Sequence, residues 1–165
     1  MASPADPDTF PEAETLVRRA GERGLRIAVA ESCTAGLVAE LLARIPGASR
    51  VLWGSFVAYT VEAKTCMLKI DGDLIARYGA VSRETALLMA EAALALSGAD
   101  RAVSVTGLAG PEGDGTAVPV GTVWIGLARQ DGAAEAHSFS YDLPRNELRR
   151  AAAREALELL RRSLD

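Results

Sequence analysis

Apolar residues recur along this chain in two rhythms, one of short continuous runs and one of helical spacing. Leu25-Arg26-Ile27-Ala28-Val29 is a short apolar stretch that predicts a buried strand over 25–30. Leu37, Val38, Leu41, Leu42 and Ile45 follow at the spacing of one helical face, predicting a helix over 35–45 closed by Pro46-Gly47. Before them, EAETLVRRAGER (12–23) reads as a helix stopped by Gly24. VLWGSFVAYT (51–60) is rich in β-branched and aromatic residues and predicts a second strand. VEAKTCMLKI, directly after it, opens a short helix carrying Glu62 and Lys64.

Ser82 followed by Glu84 marks a helix start, with Ala86, Met89, Ala90, Ala93 and Leu96 on its inner face and Gly98 as its end. RAVSVTG (101–107) is a third strand. TVWIGLARQ and AEAHSFSYD flank Asp131-Gly132, the strongest short-range hairpin signal. After Pro144 a long helix places Leu148, Ala152, Ala156, Leu159 and Leu160 inward. The order α-β-α-β-α-α-β-β-β-α predicts a three-layer α/β/α sandwich with a mixed sheet, in a single domain over 12–165. No internal repeat and no second domain is visible.

Composition narrows the class. With 165 residues, 49% apolar and 24% charged, the chain can bury one sizeable core. A net charge of −4 argues against a broad nucleic-acid-binding face, though not against a small phosphate pocket. No apolar run approaches the ~20 residues of a membrane span. Residues 1–11, MASPADPDTFP, lack both the basic start and the apolar centre of a signal peptide and read as a disordered tail. The two cysteines, Cys33 and Cys66, make no disulfide framework, so a cytoplasmic location is expected.

Three polar clusters stand where strands end: Glu31-Ser32-Cys33-Thr34, Tyr59-Thr60 with Lys64 close behind, and Thr106-Gly107 opening a loop. That loop, GLAGPEGDGTAVPVG, holds five glycines in fifteen positions. Ligands of α/β sheets gather at the carboxyl ends of strands, so the three clusters are candidates for one site. A helix starting near Thr34 or Ala35 would offer unpaired N–H donors to an oxyanion or phosphate, with Ser32 placed beside them as a nucleophile. The plainer role for Ser32 or Thr34 is a helix cap. The only histidine, His137, lies in the hairpin, where a half-exposed sheet residue is expected rather than a triad member. Cys33 is either a thiol partner of His137 or a small packing group. Lys64 is the better base if desolvation by Val61, Ala63, Cys66 and Met67 lowers its pKa; otherwise it is a solvated surface lysine. The glycine loop lacks the Gly-Lys-Ser/Thr ending of a P-loop, yet its length suits a functional loop. One histidine and scattered carboxylates offer no metal-ligand cluster.

AESCTAG, VAYTVEAK, GAVS, VTGLAGPEG and PVGTVWIGLA together resemble the C-terminal domain of the competence/damage-inducible CinA family, over about residues 12–162. Stand-alone copies of that domain are nicotinamide-nucleotide amidohydrolases. The resemblance implies hydrolysis of nicotinamide mononucleotide to nicotinate mononucleotide and ammonia, without cofactor or metal. It implies Ser32 as nucleophile and Lys64 as base, with Tyr59 and Thr106 completing the catalytic group. Glu31, Cys33, Thr34, Gly36, Gly107, Gly110 and Arg145 would contact substrate. It further implies a homo-oligomer, a dimer in the first instance, with no nucleic-acid or membrane partner. The larger family proteins carry an additional N-terminal domain for which this chain has no room, so the stand-alone form is expected.

Five positions, in four places, depart from the family pattern. ESCTGG reads ESCTAG, placing Ala35 where backbone is expected to approach the ligand. Val61 replaces a common asparagine, Val118 a common lysine, and Leu143-Pro144 a common Gly-Asp. The rival expectation is a non-catalytic nucleotide- or partner-binding module, favoured by Val61 and opposed by the joint presence of Ser32, Lys64, Tyr59 and Thr106.

Overall fold

The computed structural model describes residues 10–165. Helix α1 (Pro11–Glu22) begins with proline at its first position, where the missing N–H costs nothing, and buries Ala13, Leu16, Val17 and Ala20. The expected tail ends earlier than 11: Phe10 is in the core and Pro11 is already helical, while residues 1–9 lie outside the described part.

Strand β1 (Ile27–Glu31) leads to helix α2 (Leu37–Ala43), a single turn of 3-10 helix (Ala48–Arg50) and strand β2 (Leu52–Val57). Helices α3 (Val61–Leu68), α4 (Gly72–Tyr78) and α5 (Arg83–Ser97) follow, then strands β3 (Arg101–Gly107), β4 (Thr122–Arg129) and β5 (Ala134–Ser140), and helix α6 (Arg145–Arg162). Two expected elements are shorter than their apolar runs. Strand 51–60 stops at Val57 because Thr60 is extended and caps α3, its Oγ1 accepting from the Ala63 amide at 3.0 Å. Helix 35–45 starts only at Leu37 because Ala35 and Gly36 have positive φ. Helix α4 was not expected; its seven residues are too few to show a period, and Asp71 capping the Asp73 amide is its one local signal.

The sheet order is β2-β1-β3-β4-β5, with β1 parallel to both β2 and β3, and β3-β4-β5 antiparallel. This is the expected mixed sheet. Its two faces differ in side-chain size. Ile27, Val29, Val103, Val105, Val123, Ile125 and Leu127 pack with α1, α2 and α6. Ala28, Ala30 and Ala102 face α3, α4 and α5. Small residues let α5 lie close against the sheet: Ser104 Oγ donates to the Ala86 carbonyl at 2.6 Å, and a Cβ on Gly126 would stand 2.4 Å from that oxygen. Of the residues expected inward, Leu96 is 45% exposed; it stands in the last turn of α5, beyond buried Ala93.

Candidate active site

Because β1, β2 and β3 run parallel, their carboxyl ends open on one edge of the sheet. With β1 in the middle, the Glu31–Thr34 turn lies between Tyr59-Thr60 and Thr106-Gly107, and the three clusters converge. Flanking strands hold the turn: the Ser32 amide donates to Val105 O at 2.9 Å, and the Ala58 amide to Glu31 O at 2.8 Å. Together with Arg145 and the start of the glycine loop they line a cleft of about 380 Å³, within the range of small-ligand sites.

Inside the cleft, Lys64 Nζ donates to Ser32 Oγ at 3.0 Å and to Ala58 O at 3.3 Å, and Ser32 Oγ donates to Tyr59 O at 3.3 Å. Lys64 is only 2% exposed, so the solvated reading fails. Burial lowers its pKa from 10.5 to about 8, against an opposing pull from Cys33. The residues expected to desolvate it do not all do so. Val61, Cys66 and Met67 are exposed, whereas Ala58 and Leu68, on the inner side, are at most 1% exposed.

The helix-start donors expected for an oxyanion are already taken. Glu31 is fully buried; its Oε2 accepts from the amides of Gly36 and Val38 at 3.0 Å each, and its Oε1 from Ala39 at 3.1 Å and Ser55 Oγ at 3.0 Å. A carboxylate from the chain itself occupies the positive end of α2. Glu31 and Gly36 are therefore structural supports of the turn, not substrate contacts. Thr34 is likewise fully buried, away from the cleft lining.

Cys33 lines the cleft, but burial pushes its thiol up to about 11, so it is protonated and inert near neutral pH. His137 is exposed on edge strand β5 beside Glu135 at 3.1 Å, outside the cleft. Thr106 lines the cleft while its hydroxyl donates to Ala80 O at 2.7 Å. Gly107 has no room for a side chain: a Cβ would meet Val123 at 2.8 Å and the Cys33 sulfur at 3.0 Å. Gly110 (φ +73) is closed by Val120 in the same way. Both serve packing of the site walls.

Arg145, the first residue of α6, bridges two walls of the cleft. Its guanidinium donates to Gly110 O at 2.6 Å and to the Tyr59 hydroxyl at 2.7 Å. One turn later stands a residue missed from sequence. Arg149 donates from Nε to Cys33 O and from Nη2 to Thr34 O, each at 2.9 Å. Its i+4 spacing from Arg145 was the signal available. Glu112 and Asp114 of the glycine loop also reach the cleft and were not anticipated.

The departures from the family pattern separate by position. Ala35 has φ +49, a left-handed backbone that disfavours a side chain, and lies outside the cleft lining. Its methyl therefore burdens the backbone, not the ligand. Val61 is 45% exposed on the cleft wall. Val118 is not in the lining, and Pro144 is the N-cap of α6, preceding Arg145. Among the described residues no group of three or more His, Cys, Asp or Glu is placed to hold a metal ion, and no helix is long and apolar enough to cross a membrane.

The same architecture is found in solved structures. The competence/damage-inducible protein CihA of Agrobacterium tumefaciens is 41% identical, with a TM-score of 0.91 over 99% of each chain. A CinA-superfamily protein of Escherichia coli is 31% identical, with a TM-score of 0.88 over 97% of this chain and 94% of that one. A CinA-like protein of Anaeromyxobacter sp. (strain K) is 46% identical across 92% of this chain. The chain spans 37% of that relative's length. The CinA C-terminal domain family matches residues 10–164, and the chain belongs to it.

Proposed function

We propose that the chain is an amidohydrolase that converts nicotinamide mononucleotide and water to nicotinate mononucleotide and ammonia. The observation that carries this reading is the 3.0 Å contact between a buried Lys64 Nζ and Ser32 Oγ. A pKa of about 8 leaves about a tenth of Lys64 neutral at pH 7, against roughly three in ten thousand for an ordinary lysine. That is a gain of some three-hundredfold in working base.

Neutral Lys64 takes the Ser32 proton as Oγ attacks the carboxamide carbon, forming a tetrahedral oxyanion. When the intermediate collapses, the C–N bond breaks and Lys64 returns the proton to the departing nitrogen, which leaves as ammonia. The acyl group remains as an ester on Ser32. Water, deprotonated by Lys64, attacks that ester; its C–O bond breaks, Lys64 passes the proton to Ser32, and the acid formed gives up its remaining proton to solvent and leaves as the carboxylate.

The substrate is supported by family resemblance and by chemistry at the mouth of the cleft. Arg145 is exposed there and oriented by Gly110 and Tyr59, with further N–H donors left for a phosphate. Ammonia release from nicotinamide mononucleotide by purified protein is the test. Turnover abolished by Ser32→Ala supports the reading. Absence of turnover in the wild type removes it in favour of a non-catalytic binding module.

A further inference from the structure

The oxyanion in this reading has no donors from α2, since Glu31 holds the amides of Gly36, Val38 and Ala39. The turn still brings one amide to the cleft, that of Cys33, the residue after Ser32. What orients it is not local to the turn. Arg149 reaches from α6, 116 residues away in sequence, and places Nε on Cys33 O and Nη2 on Thr34 O at 2.9 Å.

In a trans peptide the carbonyl and the next N–H point in opposite directions. Arg149 on Thr34 O fixes the Thr34–Ala35 unit, whose N–H, from Ala35, donates to Ser32 O at 3.0 Å. Ser32 O and the Cys33 N–H belong to one peptide unit, so that bond sets the direction of the Cys33 N–H as well. The positive φ of Ala35 leaves this turn with an unfavourable backbone to maintain. A planar guanidinium bound to two consecutive carbonyls is suited to hold it.

We infer that Arg149 is a positioning residue, which holds the Ser32 turn so that the Cys33 amide, at the cleft, donates to the oxyanion formed at Ser32. This rests on Ser32 being the nucleophile. Arg149 touches neither the hydroxyl nor the reacting carbonyl; it acts through the peptide planes. Removing an oxyanion donor outright costs about a hundredfold to a thousandfold in rate. A donor still present but free to rotate is expected to cost roughly tenfold to a hundredfold.

The experiment compares wild type, Arg149→Ala and Arg149→Lys in two assays. One is kcat and KM for ammonia release from nicotinamide mononucleotide. The other is the burst of nitrophenolate from p-nitrophenyl acetate, in which Ser32 Oγ bonds to the acetyl carbon, the ester C–O bond breaks and Lys64 takes the serine proton. Mass analysis locates the acetyl group on the Ser32 peptide. Arg149→Ala is expected to lower kcat and the burst rate together, leaving KM and the pH midpoint unchanged and the melting temperature near that of wild type. Arg149→Lys recovers little, because a flexible ammonium lacks the planar fork that fixes the direction of both carbonyls, and millimolar methylguanidinium partly restores Arg149→Ala. A loss confined to KM, a loss that follows thermal unfolding, or an undiminished burst overturns the inference. Wild type that acetylates Ser32 in an Arg149-dependent way but releases no ammonia removes the amidase reading and leaves Arg149 its role. Wild type inactive in both assays removes both.

Discussion

Lys64 Nζ lies 3.0 Å from Ser32 Oγ although the two enter from different elements, the lysine from within α3 and the serine from the turn after β1. Tyr59 O and Ala58 O, on the chain between them, hold the hydroxyl and the amine in place. The rate is therefore expected to follow Lys64 deprotonation. The kcat/KM profile should rise with pH and turn over near pH 8, the value to which burial brings this amine. Lys64→Arg retains the charge without a usable base and should lose at least about a hundredfold in kcat. A profile centred near pH 10, or an active arginine variant, would exclude the buried lysine as base.

Ser32→Ala should abolish ammonia release and shift the melting temperature by no more than a few degrees, since one small hydroxyl is removed from a turn. Cys33→Ala should keep most activity, because its thiol is held protonated by burial. Steady-state kinetics beside thermal melts decide between them. A lethal cysteine substitution with an active Ser32→Ala would move the nucleophile.

Burial of Lys64 also has a cost in stability, and its sign follows from the protons bound. Below pH 8 folded and unfolded chains both carry the charge, and the fold bears the full desolvation penalty. Between about 8 and 10.5 the unfolded chain keeps a proton that the folded one has lost, so this residue's penalty is relieved as pH rises. The relief is about 1 kcal/mol between pH 8 and 9. Cys33, raised from 9.0 to about 11, acts in the opposite sense above pH 9. Lys64→Met isolates the effect: it should be more stable than wild type at pH 7 by up to about 3 kcal/mol, with the gap closing as pH rises. Urea unfolding at several pH values measures it.

Glu31→Gln should act on stability before it acts on substrate. Its amide has one acceptor oxygen where the carboxylate has two, and its NH2 would face backbone N–H groups of α2. A loss of about 2–3 kcal/mol in unfolding free energy is expected, from charge-assisted hydrogen bonds lost in a buried site. A variant with wild-type stability and a raised KM would return Glu31 to the substrate.

Discrimination by the proposed enzyme should depend on the phosphate. A charge-assisted contact from Arg145 contributes about 1.5–3 kcal/mol, so the mononucleotide should exceed the riboside and free nicotinamide in kcat/KM by about tenfold to a hundredfold. Arg145→Ala should narrow that gap by weakening the phosphorylated substrate. Equal use of all three amides by wild type would exclude phosphate anchoring.

Much of the architecture was legible in the residues because it rests on local chemistry. Asp131-Gly132 bends β4 into β5, Ser82 caps α5 with its Oγ accepting from the Thr85 amide, and Gly98 ends that helix in a left-handed conformation. These choices involve a few neighbouring atoms and leave a mark in a few neighbouring letters. Apolar spacing likewise identified the faces of α2 and α6, and motif resemblance pointed to Ser32, Lys64, Tyr59, Thr106 and Arg145.

Convergence of the clusters was not legible, since it depends on β1 lying between β2 and β3 in parallel. Nor were the two residues that support the nucleophile turn from either side. In sequence Glu31 looked like a ligand contact, yet in three dimensions the turn folds back so that its carboxylate meets the α2 amides. Arg149 looked like one more arginine on a charged helix until α6 packed against the turn. A buried charge takes whichever partners surround it after collapse, and those partners come from segments distant in the chain. The letters record which groups can ionise or donate; packing settles which of them meet, how dry the meeting place is, and so whether a lysine becomes a base.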